Sequence, residues 1–169
     1  GTPKKAEYRK FNIRTVSHDG SDGYQSMREA LTRRFNRWKE AQEQANEPLP
    51  VGQENDRDET WRMLPDLLMI DGGKGQLKVA VEVLTEYGLM DRVPVVSLAK
   101  QFEEIYRPCN PTPLILPRRS DALFLVQRVR DEAHRFGITF HRQKRSKAFI
   151  HSELENIEGI GPKTIELLL

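Results

Sequence analysis

The stretch 65–76 reads Pro65-Asp66-Leu67-Leu68-Met69-Ile70-Asp71-Gly72-Gly73-Lys74-Gly75-Gln76, and it decides the fold. A short apolar run between proline and glycine is typical of a strand buried on both faces. Residues 76–87 then repeat apolar side chains at helical spacing up to Gly88, and residues 93–98 form a second apolar run. The order strand, helix, strand predicts a β-α-β unit with parallel strands, and therefore an α/β fold.

Three further segments predict the elements around this unit. Imperfect alternation of apolar and polar residues from Tyr8 to Val16 predicts a strand. Apolar residues at every third or fourth position from Tyr24 to Trp38 predict an amphipathic helix, preceded by a turn-rich segment at 17–23. Residues 104–106 and 114–116 are separated by turn residues and predict a short hairpin.

The composition is that of a polar globular protein. The chain has 169 residues, of which 37% are hydrophobic and 31% charged, and this length corresponds to one domain. No apolar run approaches the ~20 residues that cross a bilayer, so we expect no membrane partner. A single cysteine excludes an internal disulfide, and the N-terminus has no apolar signal region, which favours the cytoplasm.

Because the chain lacks an initiator Met and stops in a helix-like pattern, we expect a fragment of a longer protein.

Charge is unevenly distributed along the sequence. The net charge is +2, but residues 39–60 contain seven acidic and two basic residues, so the remainder carries +7. Residues 41–62 have little apolar content, and we expect a mobile, solvated insertion there. The basic remainder favours a surface for polyanions.

The glycine-rich turn after the first apolar run is the first candidate site. Asp71 lies where an open α/β sheet binds ligands, and the glycines with the following helix N-terminus favour an anion. A carboxylate at this edge tends to hold Mg²⁺. The alternative is a tight turn in which Asp71 only caps the helix. A P-loop is disfavoured because the pattern Gly-x-x-x-x-Gly-Lys-Ser/Thr is absent.

A helix predicted over 120–136, capped by Ser120 or Asp121, carries the second candidate site. Its inward residues are expected to be Leu123, Val126, Val129 and Ala133. Arg130 and His134 share one face, where the imidazole could ligate a metal or transfer a proton. The alternative is a solvated, ion-paired helix face.

Two stretches nearer the C-terminus have features of nucleic-acid binding. Residues 128–147 contain seven bases and two acids, a density that suits phosphate contacts. Gly159 and Gly161 bracket an apolar residue before Pro162, so their backbone amides are expected to hold a phosphate at a helix N-terminus. This pattern is half of a helix-hairpin-helix motif, and a generic glycine turn is its alternative.

These motifs, in this order, resemble the C-terminal half of the UvrC family, which belongs to the UvrABC excinuclease of bacterial nucleotide excision repair. The strings that carry the resemblance are Gly1-x-Pro3-Lys4-Lys5-x-Glu7-Tyr8-Arg9, Leu31-x-Arg33-Arg34-Phe35, residues 65–76, Leu98-Ala99-Lys100, Arg130-Asp131-Glu132-Ala133-His134-Arg135-Phe136 and Ile157-Glu158-Gly159-Ile160-Gly161-Pro162-Lys163. They span nearly the whole chain apart from the acidic insertion.

The resemblance implies an RNase H-like mixed sheet flanked by helices over residues 1–150, and the first part of a helix-hairpin-helix domain over 151–169. It also implies a nuclease that uses Mg²⁺ or Mn²⁺ to cut damaged double-stranded DNA 5′ of a lesion, together with excinuclease subunits A and B. By motif, Asp71 and His134 match catalytic and metal-binding residues of the family. The predicted DNA contacts are Lys5, Arg9, Lys74, Gln76, Lys100, Arg135, Arg142, Arg145, Gly159, Gly161 and Lys163.

One member of the family's catalytic set, which has two aspartates and a histidine, finds no match. The first aspartate of the family lies on an opening strand upstream of the segment that begins at Gly1. We therefore expect the N-terminal strand to be missing and the metal site to be incomplete. Asp19 and Asp22 follow the predicted strand and are poor substitutes.

Two other functions remain open on the sequence. A non-catalytic module would bind DNA backbone through the basic helix and the glycine hairpin. A metal-dependent nicking assay on this chain and on a version extended through the missing strand separates it from a nuclease, since cutting only by the longer form supports the nuclease. A nucleotide-binding α/β enzyme built on residues 71–75 would be stabilised against heat by nucleotide.

Overall fold

A computed structural model describes residues 1–14, 23–46, 59–99, 103–156 and 161–168. The chain divides into two compact units, Gly1–Leu116 (unit 1) and Pro117–Leu169 (unit 2). This division lies earlier in the chain than residue 150, where the sequence predicts a domain boundary. The boundary between a nuclease domain and a helix-hairpin-helix domain stays a prediction.

Unit 1 is a mixed sheet with two helices, as far as its described residues extend. Its elements are α1 (Gly23–Ala45), β1 (Leu68–Asp71), α2 (Lys74–Glu86), β2 (Val95–Ala99), β3 (Glu104–Arg107) and β4 (Asn110–Ile115), with short 3₁₀ helices at Lys5–Glu7 and Glu59–Arg62. The strands follow the order β1-β2-β3-β4. β1 and β2 pair in parallel, and the other neighbours pair antiparallel. The predicted α/β class, the β-α-β unit and the hairpin are therefore confirmed.

The core of unit 1 contains side chains of α1, α2 and the sheet. On α2, Ala80, Val83 and Leu84 are 0% exposed, and Phe35 of α1 is 1% exposed. The buried cluster consists of Phe35, Ile70, Leu77, Ala80, Val83, Leu84, Leu89, Val93 and Val95. Apolar residues of the stripe predicted on α1 also pack against this cluster, which confirms the helical spacing.

β1 is less buried than its apolar run predicts. Ile70 is buried, whereas Leu68 and Met69 are half-buried and Leu67 is 53% exposed. β1 is an edge strand of the described sheet, with β2 beside it. Since an edge strand is covered less completely than a central one, the expectation of burial on both faces was wrong.

The strand predicted for Tyr8–Val16 does not form over the described residues 8–14. Side chains of α1 bind this backbone instead: both carboxylate oxygens of Glu29 accept from Arg14 N, at 2.9 and 3.0 Å, and Arg33 donates to Asn12 O at 2.7 Å. These bonds satisfy backbone groups that a strand would otherwise have to pair. Positions 15–22, including Asp19 and Asp22, lie outside the described residues.

The predicted insertion at 41–62 is partly ordered at both of its ends. α1 continues through Ala45, beyond Trp38 where the predicted apolar stripe ends, and residues 59–62 form a 3₁₀ helix. Residues 47–58, where mobility was expected, lie outside the described residues.

Unit 2 consists, in its described part, of α3 (Asp121–Glu155) and α4 (Pro162–Leu168). Ser120 Oγ accepts from Leu123 N at 3.2 Å, which confirms Ser120 as the cap of α3. The helix does not end at Phe136, because one glycine at 137 costs only about 1 kcal/mol and helix-forming residues follow it.

The expected inward face of α3 is correct in part. Leu123 is buried and Val126 is half-buried, but Val129 is 47% exposed and Ala133 is exposed, so the last two were wrong. None of the described helices is long and apolar enough to cross a membrane.

Replacement of Phe35 by alanine tests the core of unit 1. The ring is buried and its centroid lies 5.9 Å from that of Tyr87, so Phe35→Ala should lower the free energy of unfolding by about 3–5 kcal/mol. Urea unfolding followed by tryptophan fluorescence measures this change. Met63→Ala is the matched control, because Met63 is 70% exposed and its loss should stay within about 0.5 kcal/mol. Similar losses in both variants would contradict the described core.

Candidate active site

Asp71 is the last residue of β1 and lies at the edge of the sheet from which the crossover helix departs. The parallel register places Asp71 opposite Leu98 of β2, and Gly72 N donates to Leu98 O at 3.0 Å. The Asp71 side chain is exposed. This carboxylate therefore lies at the carboxyl end of a parallel strand, where open α/β sheets bind their ligands.

The turn from β1 into α2 is closed by Gln76. Gly73 is the N-cap residue of α2, and its N–H donates to Gln76 Oε1 at 3.0 Å. Gly73, rather than Asp71, therefore occupies the N-cap position of α2. The first helical hydrogen bond runs from Leu77 N to Gly73 O, so the amides of residues 74–76 precede the helical ladder. This helix end offers N–H donors and a positive partial charge to an anion near Asp71.

Two glycines in this turn lie where a side chain would collide. A Cβ on Gly72 would lie 2.6 Å from Cγ of Gln76, and a Cβ on Gly75 would lie 2.8 Å from ring carbons of Tyr24. Tyr24, at the start of α1, therefore covers the first turn of α2. The sequence predicts Tyr24 only as part of an apolar helix stripe, and nothing local in it reveals which helix the ring contacts.

Lys74 brings a positive charge to the same turn and is positioned by an aromatic ring. Its Nζ lies 5.0 Å from the ring centroid of Tyr106 on β3, a cation–π contact. Tyr106 Oη donates to Glu104 at 2.6 Å, and this hydrogen bond to a carboxylate raises the pKa of Tyr106, with smaller contributions from desolvation and from the charge of Glu104. No sequence pattern identified Tyr106 as a site residue, because most of α2 and all of β2 separate it from Lys74 along the chain.

His134 lies exposed on α3 of unit 2, whereas Asp71 belongs to unit 1. The approach of these two side chains stays a prediction. Near His134, Arg130 pairs with Asp131 at 3.2 Å and Arg135 pairs with Glu132 at 2.6 Å. These contacts are features of an ion-paired helix face, the alternative that the sequence left open.

The chemistry of Asp71 fits a divalent cation, but as one ligand only. Carboxylate oxygens are hard donors, which Mg²⁺ and Mn²⁺ prefer. Across the described ranges, no group of three or more His, Cys, Asp or Glu side chains is arranged to hold a metal ion. A metal site at this edge therefore needs ligands in addition to those that the described residues bring together.

The predicted DNA contacts are distributed over both units. Unit 1 contains Lys5, Arg9, Lys74 and Gln76, and unit 2 contains Arg135, Arg142, Arg145, Gly161 and Lys163. Lys100 and Gly159 lie outside the described residues. The carbonyl oxygen of Gln76 is engaged in the turn, so its amide NH₂ is the group that could contact DNA.

Comparison with known proteins gives the family. The family model described as the UvrC RNase H endonuclease domain matches residues 1–138. Relatives named UvrABC system protein C match nearly all of the chain. The protein of Porphyromonas gingivalis is 47% identical over 169 residues, 100% of this chain and 25% of the relative. That of Chlorobaculum tepidum is 50% identical over 169 residues, 100% of this chain and 23% of the relative.

The relative in Salinibacter ruber is 46% identical over 168 residues, 99% of this chain and 24% of that protein. The chain thus spans about a quarter of the length of the curated relatives it matches. Matches of this extent agree with the mixed sheet. The chain belongs to the UvrC RNase H endonuclease domain family.

Proposed function

We propose that this chain is a DNA endonuclease domain of nucleotide excision repair, which hydrolyses a phosphodiester on the 5′ side of a lesion. Its substrate is damaged double-stranded DNA, and it acts in the cytoplasm with excinuclease subunits A and B. One observation carries this proposal: in a domain of the UvrC nuclease family, the exposed Asp71 carboxylate lies at the end of β1, beside the amide end of α2.

Asp71 and His134 are the proposed ligands of a divalent metal ion in this reaction. When bound, Mg²⁺ or Mn²⁺ supplies a Lewis acid for the phosphate and its attacking water. Asp71 offers a carboxylate oxygen, and His134 offers an imidazole nitrogen that can ligate or transfer a proton. The remaining ligands come from side chains other than these two.

Phosphate binding is the proposed role of the positive groups beside Asp71. The ammonium of Lys74 and the amides of residues 74–76 offer donors to phosphate oxygens, while Tyr106 limits the positions that Lys74 can adopt. A carboxylate and a set of anion-binding donors thus lie on one short turn. Such a turn can bind a metal ion and a phosphate next to each other.

A second candidate function is binding of DNA backbone without catalysis. The observation that favours it is that the described residues do not assemble three metal-ligating side chains. Metal-dependent 5′ incision by a full-length UvrC protein that carries this domain separates the two functions: under the binding function, Asp71→Asn would leave that incision unchanged.

Replacement of Asp71 by asparagine tests the nuclease directly. In a full-length UvrC protein that carries this domain, Asp71→Asn should lower the rate of 5′ incision at least ~100-fold, because a neutral amide binds a divalent metal poorly. Binding to the lesion complex should persist. Asp66→Asn is the matched control, since Asp66 is an exposed acid just before β1, and it should cut at the wild-type rate. Normal incision by Asp71→Asn would remove Asp71 from the mechanism.

A pair of histidines on α3 tests the second proposed ligand. His134→Ala should lose incision by at least ~10-fold while binding DNA normally, because the imidazole contributes to metal binding or proton transfer. His151→Ala is the control on the same helix, where His151 lies 3.3 Å from Glu155, and it should retain activity. Equal incision rates for the two variants would assign His134 to the ion-paired surface.

A further inference from the structure

Trp61 of unit 1 is surrounded by three arginines. The guanidinium carbons of Arg9, Arg34 and Arg37 lie 5.3, 5.0 and 4.9 Å from the centroid of its ring. An aromatic ring has only two faces, so three cations crowd around one apolar group. We call these four residues the Trp61 arginine cluster. Trp61 itself is 9% exposed, which leaves the guanidinium groups as the polar surface of the cluster.

Uncharged acceptors orient the guanidinium group of Arg34, which donates to Met63 O at 3.0 Å and to Trp61 O at 3.5 Å. Carbonyl oxygens fix the direction of this group but do not neutralise its charge. Arg9 donates to the hydroxyl of Thr60 at 3.1 Å. These contacts hold both cations in place beside the ring of Trp61.

The charges of the cluster repel one another, and an anion would lower that repulsion. Burial lowers the pKa of Arg34, and the positive charge of Arg9 lowers it further. Arg37 is exposed, so a ligand can approach it from solvent. A planar guanidinium group matches two oxygens of a phosphate, which makes a phosphate group the best fit.

Helix α1 sets the distance between this cluster and the Asp71 turn. Tyr24 covers Gly75 in that turn, and Arg34 and Arg37 follow Tyr24 on the same helix. At a rise of 1.5 Å per residue, the arginines lie about 15–20 Å further along the helix axis. For a duplex whose axis runs parallel to α1, this length spans roughly five base pairs at 3.4 Å each.

We propose that the Trp61 arginine cluster is a second phosphate-binding surface, at which Arg37 contacts DNA backbone roughly five base pairs from the phosphate beside Asp71. This inference rests on the proposed nuclease function and extends it to the region that holds the substrate. Phosphates of DNA are favoured over an acidic protein because DNA is the one polyanion that would also occupy the Asp71 turn.

The salt dependence of DNA binding tests the cluster. For a fluorescein-labelled duplex, Arg37→Gln should lower the slope of log K against log salt by about 0.9, the value for one phosphate, and weaken binding roughly fivefold. Lys39→Gln is the matched control: it removes the same charge from an exposed position of α1, about 200° around the helix from Arg37. It should keep the wild-type slope.

A neutral methylphosphonate locates the contact on the duplex. Placed roughly five base pairs from the incision phosphate, it should weaken binding by the wild-type chain but not by Arg37→Gln. Equal salt slopes for wild type and Arg37→Gln, or an equal decrease in Lys39→Gln, would overturn the proposal. A lowered Tm in Arg37→Gln would also overturn it, because the guanidinium group would then serve to hold residues 59–62 on α1. A greater loss of polyglutamate binding than of duplex binding would overturn it as well.

The two proposals can fail separately. If Asp71→Asn loses incision while Arg37→Gln binds DNA like the wild type, the cluster proposal is wrong and the nuclease stands. If Arg37→Gln changes the salt slope but Asp71→Asn cuts normally, the cluster binds DNA and the assignment of Asp71 is wrong.

Discussion

The parallel pairing of β1 with β2 is the constraint on which the rest of unit 1 depends. Adjacent parallel strands cannot be joined by a tight turn, so the chain crosses back through α2, which buries Ala80, Val83 and Leu84 in the core. The crossover must begin at the carboxyl end of β1. Asp71 and the amide end of α2 therefore meet at one edge of the sheet as a consequence of topology.

Helix α1 connects this edge to the rest of unit 1. Its inward residue Phe35 is buried in the core, and on its flank Arg28 pairs with Glu82 and Glu86 of α2. Exposed ion pairs of this kind contribute little to stability, so burial of the apolar face, rather than the ion pairs, fixes the helix. Once α1 is fixed, its start covers Gly75 and its arginines surround Trp61.

The sequence predicts those parts of the fold whose pattern lies within one continuous segment. The β-α-β unit, the hairpin and the cap at Ser120 each follow from a pattern within one segment. The strand predicted for Tyr8–Val16 was wrong over the described residues 8–14, because alternation of apolar and polar residues does not distinguish a strand from an extended segment that Glu29 and Arg33 bind. The length of α3 was underestimated because a single glycine at 137 is a weak stop signal.

The candidate active site likewise combines residues of one continuous segment with residues that meet only after distant segments have paired. Asp71 and Lys74 are predictable because the turn that carries them is one unbroken string, whereas Tyr106 reaches Lys74 only after β2 and the hairpin have paired. The Trp61 arginine cluster is a stronger case, since its members come from the N-terminal segment, α1 and the 3₁₀ helix at 59–62. α1 carries four arginines, but no sequence pattern links Arg34 and Arg37 to Arg9 or to Trp61. Concentrated charge of this kind can be recognised only after the core has brought the three segments together.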